Sequence, residues 1–320
     1  MSRISALLAF AAGLLCSSVV PVAAATYSFT TIDMPGANTG STRAFGINTT
    51  GQIVGFFANS TGNHGFLRDT AGGFTTIDMP GALGTFPAGI NAAGQIVGNF
   101  VDSSGGRHGF LDTAGTFTTI DMLGAASTAA RGINAAGQIV GFYSDSSNVF
   151  HGFLRDTAGT FTTIDRPGAD STFALGINAA GQIVGQFNVS PGTHGFLDTA
   201  GTFTTIDVPG AFPGSTTAQG INDAGQIVGG FSDNTVGNGH GFLDTAGTFT
   251  TIDAPGAIDF TIAEGINPAG QIVGYFSNST GFHGFLATPV VLAAVPEPTS
   301  LVLLGPGLVG LAVLARRRLR

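Results

Sequence analysis

Apolar and polar positions along the chain fall into runs of four to seven residues, separated by clusters of Gly, Asn, Asp, Pro and Ser. Short β-prone runs between turn formers predict strands and tight turns rather than helices. Four run types recur: one ending in "GIN" (a), "GQIVG" with its aromatic neighbour (b), "HGFL" (c) and "FTTID" (d). Neither b nor d alternates cleanly. The Phe and Ile of "FTTID" fall on opposite faces, as do the Ile and Val of "GQIVG", because successive strand side chains point to opposite sides. Both faces of such a sheet must therefore be covered.

The runs repeat six times. "GQIVG" starts at Gly51, Gly94, Gly137, Gly181, Gly225 and Gly270, a spacing of 43 to 45 residues. The turns between a and b read as type I: in "INPAGQ", Asn267 opens, Pro268 takes the second place and Gly270 the fourth, the positions those residues favour. "LDTAGTF" follows the same logic, with Asp112, Asp198 or Asp244 opening and Gly115, Gly201 or Gly247 closing. Four-stranded units of this length, covered on both faces, suit radial packing. The expected fold is all-β, a six-bladed β-propeller over residues 26–295, with a signal helix at 1–25 and a transmembrane helix in 296–320. A d strand at 29–33 precedes any a strand, so it can complete the sixth blade; "PVVLAAV" at 289–295 could take that place instead, and the rival architecture is an open array.

The copies differ selectively. The a–b and c–d turns are nearly uniform, whereas the b–c and d–a connections vary freely, as in "FANSTGN", "YSDSSNVF" and "SDNTVGNG". In a meandering sheet these two sets lie at opposite ends, which predicts a uniform face and a varied one suited to binding. The residue before "GIN" is Phe45, Ala88, Arg131, Leu175, Gln219 or Glu264. With strand a innermost, Phe45, Arg131, Gln219 and Glu264 are expected to line a polar entrance on the axis. Phe86, Phe173, Phe212 and Phe260 in the d–a loops are candidates for stacking on sugar rings.

Charge narrows the partners. Charged residues make up 9% of the chain, the formal charge is −8, and four of the eleven arginines fall in the last five residues. An acidic body repels phosphate backbones, so nucleic acid is not expected as a partner. The single cysteine, Cys16, lies in the leader, so no disulfide is expected after export.

Both ends read as addresses. Arg3, an apolar stretch at 6–15 and small residues at 23–25 form a secretory leader with cleavage after Ala25. At the other end Pro296, Glu297 and Pro298 precede an apolar stretch at 301–315 and then Arg316, Arg317 and Arg318. Fifteen helical residues rise about 22 Å, short of a roughly 30 Å hydrocarbon core. The three features together resemble the PEP-CTERM sorting signal of Gram-negative bacteria. That resemblance implies a transient inner-membrane tether, recognition by an exosortase-type processing enzyme, and delivery to the cell surface or an exopolysaccharide matrix. The repeat itself resembles the extracellular HAF repeat on "GINAAGQIVG" and "HGFL", with Gly in all six copies where that family carries Ala. It implies a secreted repeat protein and no reaction.

Candidate chemistry is sparse. The six histidines all open "HGFL". On third strands about 10 Å beyond the innermost ones, they stand too far apart to share a zinc ion needing nitrogens at about 2.0–2.1 Å. They are expected to bond backbone. The aspartates ending "FTTID" (Asp33, Asp78, Asp121, Asp165, Asp207, Asp253) are read as turn formers bonding nearby amides. Asp-rich loops such as "YSDSSN" match no calcium-loop spacing. Glu264 is the one glutamate between the terminal segments and has no second carboxylate in view, as glycoside hydrolysis would need. No metal, cofactor or enzymatic activity is expected. The reading is an exported, non-enzymatic surface or matrix protein that binds exopolysaccharide or another envelope component. The alternatives are a secreted polysaccharide hydrolase using Glu264, or a purely structural matrix protein.

Overall fold

The computed structural model describes residues 26–233 and 238–290. The leader with its Ala25 cleavage point, residues 291–295 and the sorting signal at 296–320, including Pro296 to Pro298 and Arg316 to Arg318, lie outside the described residues. The described chain is an all-β propeller of short antiparallel meanders.

The expectation of six separate four-stranded blades is corrected, while the helices expected at 1–25 and 296–320 lie outside the described residues. Four sheets are four-stranded, not six; the other eight strands form one continuous sheet, and no described residue is helical. The continuous sheet joins Arg43–Ile47, Ile53–Asn59, Gly62–Arg68 and Phe74–Ile77 to Gly84–Ile90, Ile96–Val101, Arg107–Thr113 and Thr116–Ile120. The link is one parallel pair, Asn63 with Gly84. The same parallel contact recurs at Ser41–Phe282, Thr193–Ser215 and Gly239–Phe260, but there it stands outside the named strands. In the second repeat strand a begins early enough to include it, and the hydrogen-bonded sheet runs on.

The last sheet has the order Thr26–Ile32, Gly281–Val290, Ile272–Asn278, Thr261–Ile266. Thr26 pairs with Val290 and Ile32 with Gly284. The first described strand thus completes the sheet begun by the last repeat.

The invariant letters explain the ring. In each "GINxxGQ" the Asn Nδ2 donates both to the Gln Oε1 four residues on and to the backbone oxygen of the next repeat's Asn. Asn48 reaches Asn91, then Asn134, Asn178, Asn222 and Asn267, whose Nδ2 returns to Asn48, all at 3.2–3.3 Å. The Asn Oδ1 accepts the amide of that same Gln at 2.9–3.0 Å. A short amide with two donors and one double acceptor satisfies every buried group here. The glycine before it is needed for approach: a Cβ at Gly46 would sit 2.8 Å from Ala88 O, and one at Gly265 would sit 2.6 Å from Phe45 O.

The core lies between neighbouring sheets. Ile53 packs with Ile32, Ile47 and Phe66, whereas Val54 on the other face packs with Ile77 of its own repeat and with Ile90, Ile96 and Phe110 of the next. The "HGFL" phenylalanines are almost fully enclosed. Burial of this kind stabilises by about 1.5–3 kcal/mol per large side chain, which accounts for the two-faced apolar pattern of strand b.

One turn expectation is also corrected. In "LDTAGTF" the turn is a two-residue hairpin with positive φ at both centres, 52° at Ala114 and 84° at Gly115, and likewise at Ala200–Gly201 and Ala246–Gly247. That is type I′ chemistry. The first and third repeats carry an extra Arg before the Asp, and Asp69 N then bonds Gly73 O across a longer loop. One inserted residue changes the turn because it shifts which residues close the ladder.

Candidate binding face and axis

Every strand a slips register at one residue, between Ala44 and Gly46, Pro87 and Gly89, Ala130 and Gly132, Ala174 and Gly176, Ala218 and Gly220, and Ala263 and Gly265. The bulged residues are Phe45, Ala88, Arg131, Leu175, Gln219 and Glu264. A bulge re-aims a side chain, and here all six line one small cavity of about 80 Å³ on the axis. The four sequence candidates Phe45, Arg131, Gln219 and Glu264 are therefore brought together.

Together they narrow the axis to this small cavity. Arg131 Nη2 lies 3.9 Å from Glu264 Oε2, across the ring, and its guanidinium sits 5.5 Å from the centre of the Phe45 ring. Phe45 also packs on Phe56 and Tyr275. Burial pushes the Glu264 carboxyl up to about 7, against the opposing pull of Arg131. A carboxylic acid poised near neutrality is one half of a glycosidase pair. No second carboxylate lines its cavity among the described residues, and the space is far below the roughly 300 Å³ at which ligand pockets begin.

The varied connections share one face. In each repeat an amide of the d–a loop bonds a carbonyl at the end of strand b, as in Asn38 N to Ala58 O, Ala126 N to Ser144 O and Ile258 N to Ser277 O, each at 2.8 Å. The histidines brace this face, and the expectation that they bond backbone is corrected. Each Nδ1 meets the carboxylate ending strand d: His64–Asp78, His108–Asp121, His151–Asp165, His194–Asp207, His240–Asp253 and His283–Asp33, at 2.8–3.1 Å. These aspartates are cross-strand partners, not turn formers.

The b–c loop chooses what meets the other ring nitrogen. Asn59 and Asn278 fold Asx turns whose Thr61 and Thr280 hydroxyls contact Nε2 of His64 and His283 at 2.8 and 2.7 Å. Asp102 and Asp233 place a carboxylate oxygen there instead, at 3.3 and 3.4 Å. Burial lowers the affinity of His108 and His240 for a proton, but their paired carboxylates outweigh it and the net direction is up. Hydrogen bonding from Ser104 and the Gly106 amide pulls Asp102 down to about 2. The Thr–His–Asp alignment resembles a nucleophile relay only in outline. Thr61 Oγ1 also lies 2.6 Å from Asn59 Oδ1, an amide oxygen that competes with His64 Nε2 for the one hydroxyl proton.

Sequence reasoning singled out Phe212 on this face but missed three aliphatic side chains exposed like it. Leu83, Leu123, Phe212 and Ile258 are 63%, 100%, 55% and 60% exposed, and all four lie in d–a loops of the varied face. Of the four phenylalanines proposed to stack on sugars, Phe86 packs against Phe56 and Phe173 against Phe142 and Phe150. Phe212 is exposed, and Phe260 lines a hollow between the last two repeats.

No family model matches the chain, and no curated protein matches it. Solved structures do. TolB from Acinetobacter baumannii is 13% identical with a TM-score of 0.53, over 78% of this chain and 64% of that one. A mutant of AofleA from Arthrobotrys oligospora is 12% identical with a TM-score of 0.50, over 84% and 94%. SapL1 lectin in complex with alpha methyl fucoside is 12% identical with a TM-score of 0.50, over 81% and 97%. At these identities the likeness is one of fold, the propeller, in proteins of differing function.

Proposed function

We propose that this chain is an exported, non-enzymatic cell-surface or matrix protein whose varied face binds a polysaccharide of the envelope. The observation that carries this reading is the placement of exposed apolar side chains. Leu83, Leu123, Phe212 and Ile258 stand on the face where the repeats diverge, and varied loops held on a rigid scaffold are where binding surfaces form. Nothing in the uniform "NxxGQ" turns offers a comparable surface. The non-catalytic reading rests on Glu264 facing Arg131 instead of a second carboxylate. The lectin of like fold adds only that such a scaffold is compatible with sugar binding.

The route to the surface belongs to the same proposal: a Gram-negative cell exports the chain, tethers it briefly by the tail at 296–320, and an exosortase-type enzyme processes it. An antibody against the tail should detect it in inner membranes and not on surface-released protein. For binding, a glycan array probed with the full chain should give neutral-polysaccharide signals that disappear when the d–a loops bearing Leu83, Leu123, Phe212 and Ile258 are replaced by the loop at 170–173. Release of sugar products from a bound glycan would instead identify a hydrolase, and a blank array would identify a structural matrix protein.

A further inference from the structure

At the varied end, neighbouring repeats meet through three side chains: the residue after "GQIVG", the residue before the histidine, and an early residue of the next strand a. Between the third and fourth repeats these are Phe142, Phe150 and Phe173, packed ring on ring at 5.0–5.9 Å. Between the last and first they are Tyr275, Phe282 and Arg43, whose guanidinium sits 3.8 Å from the Phe282 ring centre. Between the fifth and sixth repeats the two ring positions are Gly230 and Gly239, and a hollow of about 370 Å³ takes their place.

Packing explains only one of these glycines. A Cβ at Gly239 would lie 2.8 Å from Phe260 Cβ, so that residue must be small. At Gly230 the nearest atoms to a Cβ belong to Ile262 at 3.6 Å, ordinary contact, and its φ is not in the left-handed region. A side chain can therefore begin there without a clash, as the aromatic residues at 56, 142 and 275 do at the equivalent positions. The slot is vacant without a backbone reason, and its volume falls within the range of about 300–1,000 Å³ of ligand pockets.

The lining limits what fits. Phe231, Phe260 and Ile262 give apolar walls, and Ser215 and Thr217 contribute hydroxyls. Ser215 Oγ donates to Phe212 O and accepts from the Ser232 amide, and Thr217 Oγ1 donates to Gly230 O and accepts from Gln219 Nε2, so each has one lone pair left to accept from a ligand hydroxyl. Among the described residues no arginine lines the slot, and His240 is already held by Asp253 and Asp233. Phosphate, sulfate or uronate would meet net negative charge. A flat ring with one apolar face and neutral hydroxyls is matched instead. A second hollow of about 200 Å³, lined by Ile258 and Ala257, lies against the same Phe260, which lets a chain of such rings continue.

We infer that the slot between the fifth and sixth repeats, walled by Phe260 and Ile262 and vacated by Gly230, binds one neutral hexose or deoxyhexose unit of a polysaccharide. The inference rests on the sugar-binding reading above and assigns its site. The test uses the full chain with free glucose, galactose, mannose, rhamnose and fucose, and with dextran and galactomannan, followed by saturation-transfer NMR. At least one neutral sugar should bind, and G230Y should weaken it by more than about tenfold while unfolding as cooperatively as the parent. Q186Y, at the same register between the fourth and fifth repeats, should leave binding unchanged. The Ile262 methyl signal of the unaltered protein should move on saturation with that sugar, a readout that holds whether or not G230Y folds. Binding retained in folded G230Y, an unmoved Ile262 methyl, or preference for glucuronate would overturn the site while leaving a sugar-binding face in place. Failure of every sugar, free or polymeric, would remove both.

Discussion

The two ends of the sheets are built from the same six repeats and obey different rules. At the uniform end, Asn48, Asn91, Asn134, Asn178, Asn222 and Asn267 each spend all their hydrogen-bonding capacity, two donors to the Gln and the next repeat and an acceptor to nearby amides. At the varied end, the corresponding polar contacts are local and half-exposed, and each repeat solves them differently: Thr61 on His64, Asp102 on His108. Polar groups that are buried and shared between repeats cannot drift, because one loss leaves several orphans. Groups that close only their own loop can.

The strongest way to break this comparison is at the ring. Asn134→Ala removes donors to Asn178 O and Gln138 and the acceptor of the Gln138 amide, which should cost about 3–4 kcal/mol of stability. Asn134→Asp keeps the acceptor but sets oxygen against Asn178 O, so it should be no better than Ala. Denaturant unfolding of each variant checks this, and a loss under about 1 kcal/mol would mean the ring is ornamental.

The axis provides the next largest effect. Glu264 rises from its ordinary 4.5 to about 7 in the folded chain. The folded state therefore holds a proton that the unfolded state has released. The stability tied to that proton is fully present below about 4.5 and is lost as pH rises through about 7, amounting to about 3 kcal/mol. Glu264→Gln should flatten this slope in unfolding experiments run from pH 4 to 8.

Smaller effects sharpen the contrast. Ala114 holds φ 52°, and Ala114→Gly should stabilise by about 0.5–1 kcal/mol because the left-handed penalty is lifted. His108→Gln, on the varied face, should cost under about 1 kcal/mol since its carboxylate partners are half-exposed. Its proton affinity is raised, so that benefit is present below the unfolded histidine value and disappears as pH rises through the folded one. A His108→Gln cost as large as that of Asn134→Ala would erase the distinction between the two ends.

Much of the architecture was legible from spacing. Turn glycines and the Ile–Val pair of "GQIVG" foretold meanders and two-sided cores, and the early d strand at 29–33 was one of two candidates for the closing strand that pairing then assigned to it. The histidine partners were not, because His64 and Asp78 lie on neighbouring strands whose register no local pattern states. The signal for the Asn ring was present, in that Asn and Gln stay fixed while the residues between them change from TT to AA, DA or PA. It was read as a turn alone, since a donor's second partner sits 43 to 45 residues away for most copies.

The order of strands, the plain and varied faces, and the residues that could meet on the axis follow from the letters alone, because strand period and turn stereochemistry are local properties. Tertiary structure alone decided that eight strands run on as one sheet, that Arg131 touches Glu264 across the axis, and that the space beside Gly230 stays unfilled. Those outcomes depend on where a neighbouring repeat's atoms arrive, and that is fixed by close packing summed around the whole ring.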